Sequence, residues 1–403
     1  MLEDIAFGEY RKQSDIHGTV LYPAVMVAPV QNKILSEIIE KNQVLSIFDP
    51  FHGSGTALYE AHEINPNIHL VGCDINPLAN LITKVKLHGV SEEIEENYKI
   101  LRENILNHGV IKEIDFPNVK KWFRDDIIKT LSIVKSAISQ IQNEYDRQFF
   151  WVMLCDSIRK YSNTRSSTYK LYQKEESKIE KIEDHVVRDF FKAIEHGLKK
   201  YDKHTDNFIL YKRDVLDLLD ELPDRIFDIS ISSPPYGDNA TTVPYGQFSM
   251  LALYIIDRKD LELEGWELNN YSIIDRKSLG GCEKDLNICQ YGKSLLQPYM
   301  KRISYRKQGK VLRFFADYFK WLDGLCRVTD QYIVLTLGNR TVDRVKIDLT
   351  EITKKYLESN NFDNIEFAER EIPTKRTPRI TSMVDLKPVS SMTKEYIIVN
   401  KRR

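Results

Sequence analysis

Short apolar runs rich in Val, Ile and Phe alternate along this chain with segments whose apolar residues recur at helical spacing. Such runs are typical of buried strands, and helices between most of them are typical of a doubly wound sheet. Strands are predicted at residues 44–48, 69–74, 208–211, 226–231, 332–337, 364–370 and 395–399. Helices are predicted at 30–41, 57–63, 247–257, 311–326 and 348–359, whereas 258–309 shows no regular pattern. The pattern therefore predicts an α/β protein with a seven-stranded sheet.

Residues 91–205 interrupt this alternation with a mostly helical pattern. Ile127, Leu131 and Val134 recur at steps of three and four residues, and a similar stripe runs through Phe149 and Val152. Such stripes are typical of amphipathic helices that bury one face. The pattern predicts a helical insertion with its own small core.

Composition adds few constraints on function. The 58 Lys and Arg nearly balance 59 Asp and Glu, so any nucleic-acid binding must depend on local basic patches. The five cysteines lack the close pairs of a zinc site, and their odd number argues against a disulfide framework. No metal is expected. Because the chain has neither a signal-like amino terminus nor the ~20 apolar residues of a membrane span, we expect a cytoplasmic protein.

A glycine-rich loop at residues 49–56 is the first candidate site. Gly53 and Gly55 would let a ligand approach the backbone at the start of the next helix, although a tight turn uses the same residues. Asp74 ends the following strand and could accept hydrogen bonds from both ribose hydroxyls of a nucleoside cofactor, or cap a helix. Asp49 would repel a pyrophosphate but accept bonds from an ammonium group. Together with the missing third glycine of the dinucleotide fingerprint, this favours S-adenosylmethionine over NAD.

The second candidate site follows the strand at 226–231 and consists of Ser233, Pro234, Pro235 and Tyr236. The prolines end the strand because neither can donate a hydrogen bond to the sheet. Their fixed φ angles hold a hydroxyl, a carbonyl and an aromatic face in one arrangement, at the edge where α/β sheets bind ligands. A planar substrate with an exocyclic amino group would suit these features. The alternative is a turn with a packed tyrosine.

Two segments without regular periodicity, 159–170 and 299–310, mix basic side chains with aromatic ones. Such segments can hold phosphates and contact bases, although solvated loops have the same composition. The candidate DNA-binding residues are Arg159, Lys160, Arg165, Lys170, Lys301, Arg302, Arg306 and Lys307.

In combination, these motifs resemble those of the DNA amino-methyltransferases, which modify an exocyclic base nitrogen. The resemblance extends to residues 22–24, Tyr-Pro-Ala, to residues 74–77, Asp-Ile-Asn-Pro, and to residues 338–340, Gly-Asn-Arg. It implies a Rossmann-like class I fold with strand order 3-2-1-4-5-7-6 and an antiparallel seventh strand. Because the chain ends at the last sheet strand, it also implies that DNA recognition lies in the insertions.

The resemblance further implies roles for individual residues. Those assigned to S-adenosylmethionine are Tyr22, Pro23, Asp49, Phe51, Gly53, Ser54, Gly55, Thr56, Asp74, Ile75 and Asp214. The last of these, Asp214, could instead simply cap the next helix. Tyr236 would stack on a base flipped out of the duplex. A serine before Pro-Pro-Tyr is commoner in enzymes that methylate cytosine N4, whereas aspartate is typical of adenine N6 enzymes. Ser233 therefore favours cytosine and leaves adenine open.

The predicted organisation has five segments. They are an amino-terminal segment with the cofactor-binding half of the catalytic domain (1–90), the helical insertion as candidate DNA-recognition region (91–205), the catalytic half with the Ser-Pro-Pro-Tyr loop (206–240), a second candidate DNA-contact insertion (241–310) and the end of the catalytic sheet (311–403). The implied partners are double-stranded DNA and a cognate restriction endonuclease or defence-system subunits. Two other functions stay open: an RNA amino-methyltransferase, and a non-catalytic subunit that binds cofactor and DNA.

Overall fold

The computed structural model describes residues 5, 7–107, 111–201, 205–237, 243–263, 272–277, 279, 286–371, 380–384, 387–390 and 394–403. The helices are α1 (Ala28–Lys41), α2 (Thr56–Ile64), α3 (Pro77–His88), α4 (Ile94–Leu106), α5 (Val119–Trp122), α6 (Asp125–Ser139), α7 (Glu144–Tyr161), α8 (Glu176–Ile179), α9 (Val186–Gly197), α10 (Val215–Glu221), α11 (Tyr245–Ile255), α12 (Ser272–Lys277), α13 (Gln290–Met300), α14 (Tyr305–Val328) and α15 (Leu349–Ser359). The strands are β1 (Ser46–Asp49), β2 (His69–Cys73), β3 (Phe208–Tyr211), β4 (Phe227–Ser232), β5 (Thr329–Leu337), β6 (Arg340–Val342), β7 (Val345–Ile347), β8 (Phe362–Glu371), β9 (Ile380–Val384), β10 (Lys387–Ser390) and β11 (Lys394–Arg402). Within these ranges, no helix has the length and apolarity needed to cross a membrane.

Seven of the described strands form one sheet in the order β3-β2-β1-β4-β5-β11-β8. The first five strands in this order are parallel to one another, whereas β11 pairs antiparallel with both β5 and β8. Counted along the chain, this order is 3-2-1-4-5-7-6. The predicted α/β fold class and the strand order that the resemblance implies are therefore confirmed.

The central strands β1, β2, β4 and β5 are largely buried on both faces, which explains why they are mostly apolar runs. Successive side chains of a strand point to opposite faces, so Ile47 and Phe48 of β1 belong to different cores. Helices α1 and α2 cover the face of Ile47, whereas α10, α14 and α15 cover the face of Phe48. This packing fixes the carboxyl ends of β1, β2 and β4 next to one another.

The helical insertion shares its core with helices outside it, so the expectation of a separate small core is wrong. Phe149 and Val152 of α7 lie in one apolar cluster with Ile82 of α3 and Leu251 of α11. A buried ion pair adds to this contact, because Arg147 of α7 binds the carboxylate of Asp260, which follows α11. The amphipathic stripes predicted the helices but could not identify the surface that they cover.

Part of the segment 258–309 that was expected to be irregular is helical, because it contains α13 and the first turn of α14. Gly292 and Pro298 lie inside α13 and disfavour a helix in isolation. Tertiary packing overrides this preference, since Leu296 is buried against the core around α14. Gly280 and Gly281 lie outside the described residues. The hairpins β6–β7 and β9–β10 were also not predicted.

Candidate active site

The glycine loop connects β1 to α2 and contains two residues in the left-handed backbone region. Gly53 has φ 53° and Gly55 has φ 74°. A Cβ atom added at Gly55 would lie 2.5 Å from Cγ2 of Thr83 on α3. Glycine is therefore required at residue 55 both by the backbone angle and by the close approach of α3. The resulting turn brings backbone N–H groups to the amino terminus of α2, where anions and polar ligands bind.

Asp74 holds this loop from the end of β2. Its Oδ2 atom accepts a hydrogen bond from Gly53 N at 3.0 Å, and its Oδ1 atom accepts one from Asn76 N at 2.8 Å. Burial raises the pKa of Asp74, and these hydrogen bonds act to lower it. The cap of α3 is Asn76, whose Oδ1 accepts from Leu78 N. The helix-cap alternative for Asp74 is therefore wrong, and its carboxylate keeps lone pairs for a ligand.

Asp49 and Ser232 join the glycine loop to the loop after β4. Asp49 Oδ1 accepts hydrogen bonds from Ser232 Oγ at 2.7 Å and from Phe51 N at 3.0 Å. The second oxygen, Oδ2, is buried and has no hydrogen-bond partner in the described part of the chain. Burial raises the pKa of Asp49 to about 7, although both hydrogen bonds lower it. A buried carboxylate oxygen without a donor fits a positively charged ligand group.

Tyr22 approaches the glycine loop from the amino-terminal segment. Its Oη atom accepts a hydrogen bond from Asn76 Nδ2 at 3.1 Å, and a Cβ atom at Gly53 would lie 3.5 Å from its ring. The Tyr22 ring stacks on Tyr245 of α11, with ring centroids 5.9 Å apart. Burial raises the pKa of Tyr22 well above its usual value. Pro23 is buried beside it. Tyr245 had no role in the sequence-based site, and a lone aromatic residue in a polar segment gave no signal of one.

The remaining predicted cofactor residues surround this loop. Phe51 is half-buried, with its ring centroid 5.5 Å from that of Trp321 on α14, and Ile75 is half-buried against the core of the insertion. Ser54 and Thr56 are buried within the loop and the first turn of α2. Phe51 and Ile75 thus pack against different cores and keep part of their surface open to a ligand.

Asp214 follows β3, which pairs with β2. Its Oδ1 atom accepts a hydrogen bond from Leu216 N at 2.9 Å and caps α10. Burial raises the pKa of Asp214. The structure therefore has the helix-cap role that the sequence left open, and a contact between Asp214 and S-adenosylmethionine stays a prediction.

The Ser-Pro-Pro-Tyr loop follows the carboxyl end of β4, a strand that lies between β1 and β5 in the sheet. The Ser233 Oγ and Tyr236 Oη atoms are 3.0 Å apart. Pro234, which lies between these two residues in sequence, is buried. Tyr236 is half-buried against the core around α14, and burial raises the pKa of its hydroxyl. It borders a small cleft that Phe314 and Arg340 also line. The Tyr236 side chain is therefore partly packed against the core, as the alternative of a turn with a packed tyrosine predicted, and partly exposed.

A polar network beneath the glycine loop was not predicted. His52 Nε2 lies 3.3 Å from Asn80 Oδ1, and Asn80 Nδ2 donates to the backbone oxygen of Asp74 at 2.7 Å. The buried Lys86 donates to the carbonyl oxygen of Ser54 at 2.6 Å, and burial lowers the pKa of Lys86 to about 7. Asn80, Thr83 and Lys86 recur every three residues along α3 and are all buried. This polar stripe was a usable signal in the sequence.

The basic residues at 159–170 differ in exposure. Arg159 is half-buried and donates to Thr168 O, with its guanidinium 4.9 Å from the ring centroid of Phe248. Lys160 forms an ion pair with Asp189 of α9. Arg165 is exposed, whereas Lys170 is half-buried. The structure thus gives Arg159 and Lys160 intramolecular partners.

The loop that contains Arg165 packs next to the candidate cofactor site. Tyr169 contacts the ring of Phe248 edge-on at 5.6 Å, and Leu171 N donates to Gln247 Oε1 at 3.3 Å. Phe248 in turn contacts Tyr22 edge-on at 6.0 Å. The aromatic residues of α11 therefore connect this part of the insertion to the glycine loop.

The second basic group surrounds the junction of α13 and α14. Lys301, Arg302 and Arg306 are exposed. Lys307 forms an ion pair with Asp343 in the β6–β7 turn, and hydrogen bonds from Lys307 and Ser304 lower the pKa of Asp343. Lys307 therefore has a structural partner, while the other three side chains face solvent.

Comparisons with known proteins concern the chain as a whole. No family model matches the chain. It is 29% identical over 419 residues to the Type II methyltransferase M.MvaI of Kocuria varians, covering 96% of this chain and 90% of that protein. One similar solved structure is a precorrin-6y C5,15-methyltransferase from Geobacter metallireducens GS-15, with 10% identity and a TM-score of 0.33; the match covers 99% of this chain and 96% of that one. Another is the rRNA methyltransferase aviRa from Streptomyces viridochromogenes, with 10% identity and a TM-score of 0.30; the match covers 97% of this chain and 93% of that one. TM-scores this low do not indicate a shared function. The sequence similarity spans nearly the whole of both chains and supports a methyltransferase.

Proposed function

We propose that the chain is an S-adenosylmethionine-dependent DNA methyltransferase that modifies the exocyclic amino group of a base flipped out of duplex DNA. Cytosine N4 is the favoured target and adenine N6 the second. The observation that carries this proposal is the 2.7 Å hydrogen bond from Ser232 Oγ to Asp49 Oδ1. It brings the Ser-Pro-Pro-Tyr loop and the glycine loop together at one edge of the sheet. The similarity to a Type II methyltransferase supports the reaction class.

The residues around the glycine loop fit the cofactor. Asp49 Oδ2, buried and without a donor in the described residues, suits the ammonium group of the methionine part. The Asp74 carboxylate suits the ribose hydroxyls, and the left-handed turn at Gly53 and Gly55 leaves room for the ligand against the backbone. Phe51 and Ile75 would flank the adenine. When bound, S-adenosylmethionine supplies an electrophilic methyl group on a sulfonium ion.

The Ser-Pro-Pro-Tyr loop would activate the target nitrogen. That nitrogen shares its lone pair with the aromatic ring and is a poor nucleophile. Acceptors at Ser233 Oγ and the Pro234 carbonyl would hold both N–H bonds and free the lone pair for in-line attack. Transfer would form the new N–C bond as the methyl–sulfur bond breaks, the sulfur would keep the electron pair and leave as a neutral thioether, and one proton of the amino group would pass to solvent. Tyr236 would stack on the base and offset part of the cost of flipping it.

Other features support DNA as the substrate and cytosine as the base. Arg165 is exposed on the loop that packs against α11, next to the candidate cofactor site. A basic side chain there can contact phosphates on either side of the flipped base. The serine at residue 233 favours cytosine N4. The Type II designation of the relative supports a cognate restriction endonuclease as partner.

Transfer of tritium from labelled S-adenosylmethionine to unmodified plasmid DNA, with total RNA in parallel, tests the proposal. The DNA should become labelled, and its digested nucleosides should contain N4-methylcytosine. Labelled N6-methyladenine would overturn the preference for cytosine and keep the reaction class. Label in RNA alone would overturn DNA as the proposed substrate. Cofactor binding without methyl transfer to either nucleic acid would overturn the enzymatic function.

A further inference from the structure

The two serines at the end of β4 have different environments although they are adjacent in sequence. Ser232 is 1% exposed, and its hydroxyl donates to the Asp49 carboxylate. Ser233 is half-buried, and its hydroxyl contacts Tyr236 Oη at 3.0 Å. The resemblance gave a role to Ser233, and nothing in the motif assigned one to Ser232. The Ser232 hydroxyl therefore contacts the glycine loop, whereas the Ser233 hydroxyl contacts the aromatic residue of its own loop.

We propose that Ser232 is a positioning residue for the cofactor, because its hydroxyl holds the Asp49 carboxylate so that the second oxygen faces the ligand ammonium group. The inference rests on the proposed function. Ser232 acts through Asp49 and does not itself touch the cofactor.

The geometry around Asp49 supports this role. Its Oδ1 atom is held by donors from two separate elements, Ser232 of β4 and the backbone N–H of Phe51 in the glycine loop. Two donors on one oxygen prevent the carboxylate from rotating. Asp49 is 0% exposed, and its Oδ2 atom is buried without a donor in the described residues. A charged donor from a ligand satisfies this atom only if the carboxylate stays in place.

The ionisation of the Asp49 carboxyl group also depends on Ser232. Burial is the main cause that raises the pKa of Asp49, and the charge of Asp74, at the end of the neighbouring strand β2, adds a smaller effect in the same direction. The hydroxyl of Ser232 and the N–H of Phe51 oppose both effects and lower the pKa of Asp49. Loss of the Ser232 hydroxyl should therefore raise this pKa further. The ammonium group would then meet a carboxylate that is both less fixed and less often ionised.

The test compares Ser232→Ala with Ser233→Ala as a matched control, using calorimetric titration of the full chain. Two ligands are needed: S-adenosylmethionine, and 5′-methylthioadenosine, which keeps the adenosine but lacks the amino acid. Ser232→Ala should weaken S-adenosylmethionine binding about tenfold or more, the loss expected for one hydrogen bond to a charged group. It should bind 5′-methylthioadenosine as the wild type does. Ser233→Ala should bind both ligands normally and transfer methyl groups more slowly.

Two further readouts exclude a general effect on the fold. The pH at which S-adenosylmethionine binding is half-maximal should move upward in Ser232→Ala, and Ser232→Thr, which keeps the hydroxyl, should restore affinity. Equal loss of both ligands in Ser232→Ala, or unchanged affinity for S-adenosylmethionine, would overturn the assignment. A wild type that binds the cofactor without methylating nucleic acid would overturn the proposed function alone. A wild type that fails to bind it would overturn both.

Discussion

The ionisation of single residues decides what the candidate site can bind. Burial raises the pKa of Asp49 to about 7, so this carboxyl group changes charge in the neutral range. Asp74 also has a raised pKa through burial, and backbone N–H groups of Gly53 and Asn76 oppose the shift. A buried acid and a half-buried acid this close to a glycine loop favour a ligand that brings a positive charge and hydroxyl donors. S-adenosylmethionine has both.

The raised pKa of Asp49 predicts that cofactor binding depends on pH. Affinity for S-adenosylmethionine should rise as the pH increases through about 7, because only the ionised carboxylate attracts the ammonium group. It should fall again above about pH 8, where an α-amino group loses its proton. Below pH 7 binding should release protons, which calorimetry in buffers of different ionisation enthalpy detects. Asp49→Asn should bind more weakly and lose the acidic limb of this profile. An identical profile in both proteins would remove Asp49 from the ammonium site.

The same shift predicts how Asp49 affects stability. Because the folded pKa lies above the unfolded value of 3.8, the folded chain binds more protons between these two values. The contribution of Asp49 to stability is therefore present at low pH and decreases as the pH rises through about 7. Bound cofactor should lower the pKa of Asp49 again and should therefore reverse this dependence of stability on pH.

Among the elements, most strands and helices could be predicted from the sequence, because buried parallel strands are short apolar runs. The polar and irregular segments were harder to predict. Helix α13 was missed since Gly292 and Pro298 lower its intrinsic helix propensity, and only the burial of Leu296 compensates. The glycine loop was recognised, but the contact of Gly55 with Thr83 depends on how α3 packs, which local sequence does not encode.

This packing predicts that alanine at residue 55 is costly. Gly55→Ala should lower the free energy of unfolding by about 1–3 kcal/mol, because its φ of 74° disfavours a side chain and Thr83 occupies the space. It should also weaken cofactor binding by displacing the loop. Gly8→Ala is the matched control, since a Cβ there would meet nothing within 4 Å. Denaturant unfolding of both variants measures the difference. Equal stability would show that the loop can move away from α3.

At the scale of the whole molecule, residues far apart in sequence converge on one edge of the sheet. Tyr22, Asp74, Tyr169 and Phe248 are connected through ring contacts and the glycine loop, although they come from different segments. The motifs predicted that Tyr22 and Asp74 belong together. The docking of the insertion against α11 could not be predicted, because an amphipathic stripe identifies a buried face without identifying its partner.

This docking predicts a DNA contact beside the cofactor site. Replacing Arg165 and Lys170 with Gln should weaken DNA binding and flatten its dependence on salt, since each lost phosphate contact removes about one released counterion. Lys41→Gln is the matched control, because Lys41 is an exposed lysine on α1. Affinity for duplex DNA over a series of salt concentrations gives both slopes. A slope equal to that of the wild type in the double variant would place this loop outside the DNA interface.

The rate of methyl transfer to duplex DNA at saturating cofactor, compared between wild type, Tyr236→Phe and Tyr236→Ala, tests the central claim most directly. Tyr236→Phe keeps the ring, loses only the hydroxyl near Ser233, and should retain much of the activity. Tyr236→Ala should lose ~1–3 kcal/mol of base stacking, a decrease of roughly 5- to 150-fold, with unchanged cofactor affinity. Equal rates in all three proteins would show that Tyr236 only packs against the core, and would contradict a catalytic Ser-Pro-Pro-Tyr loop.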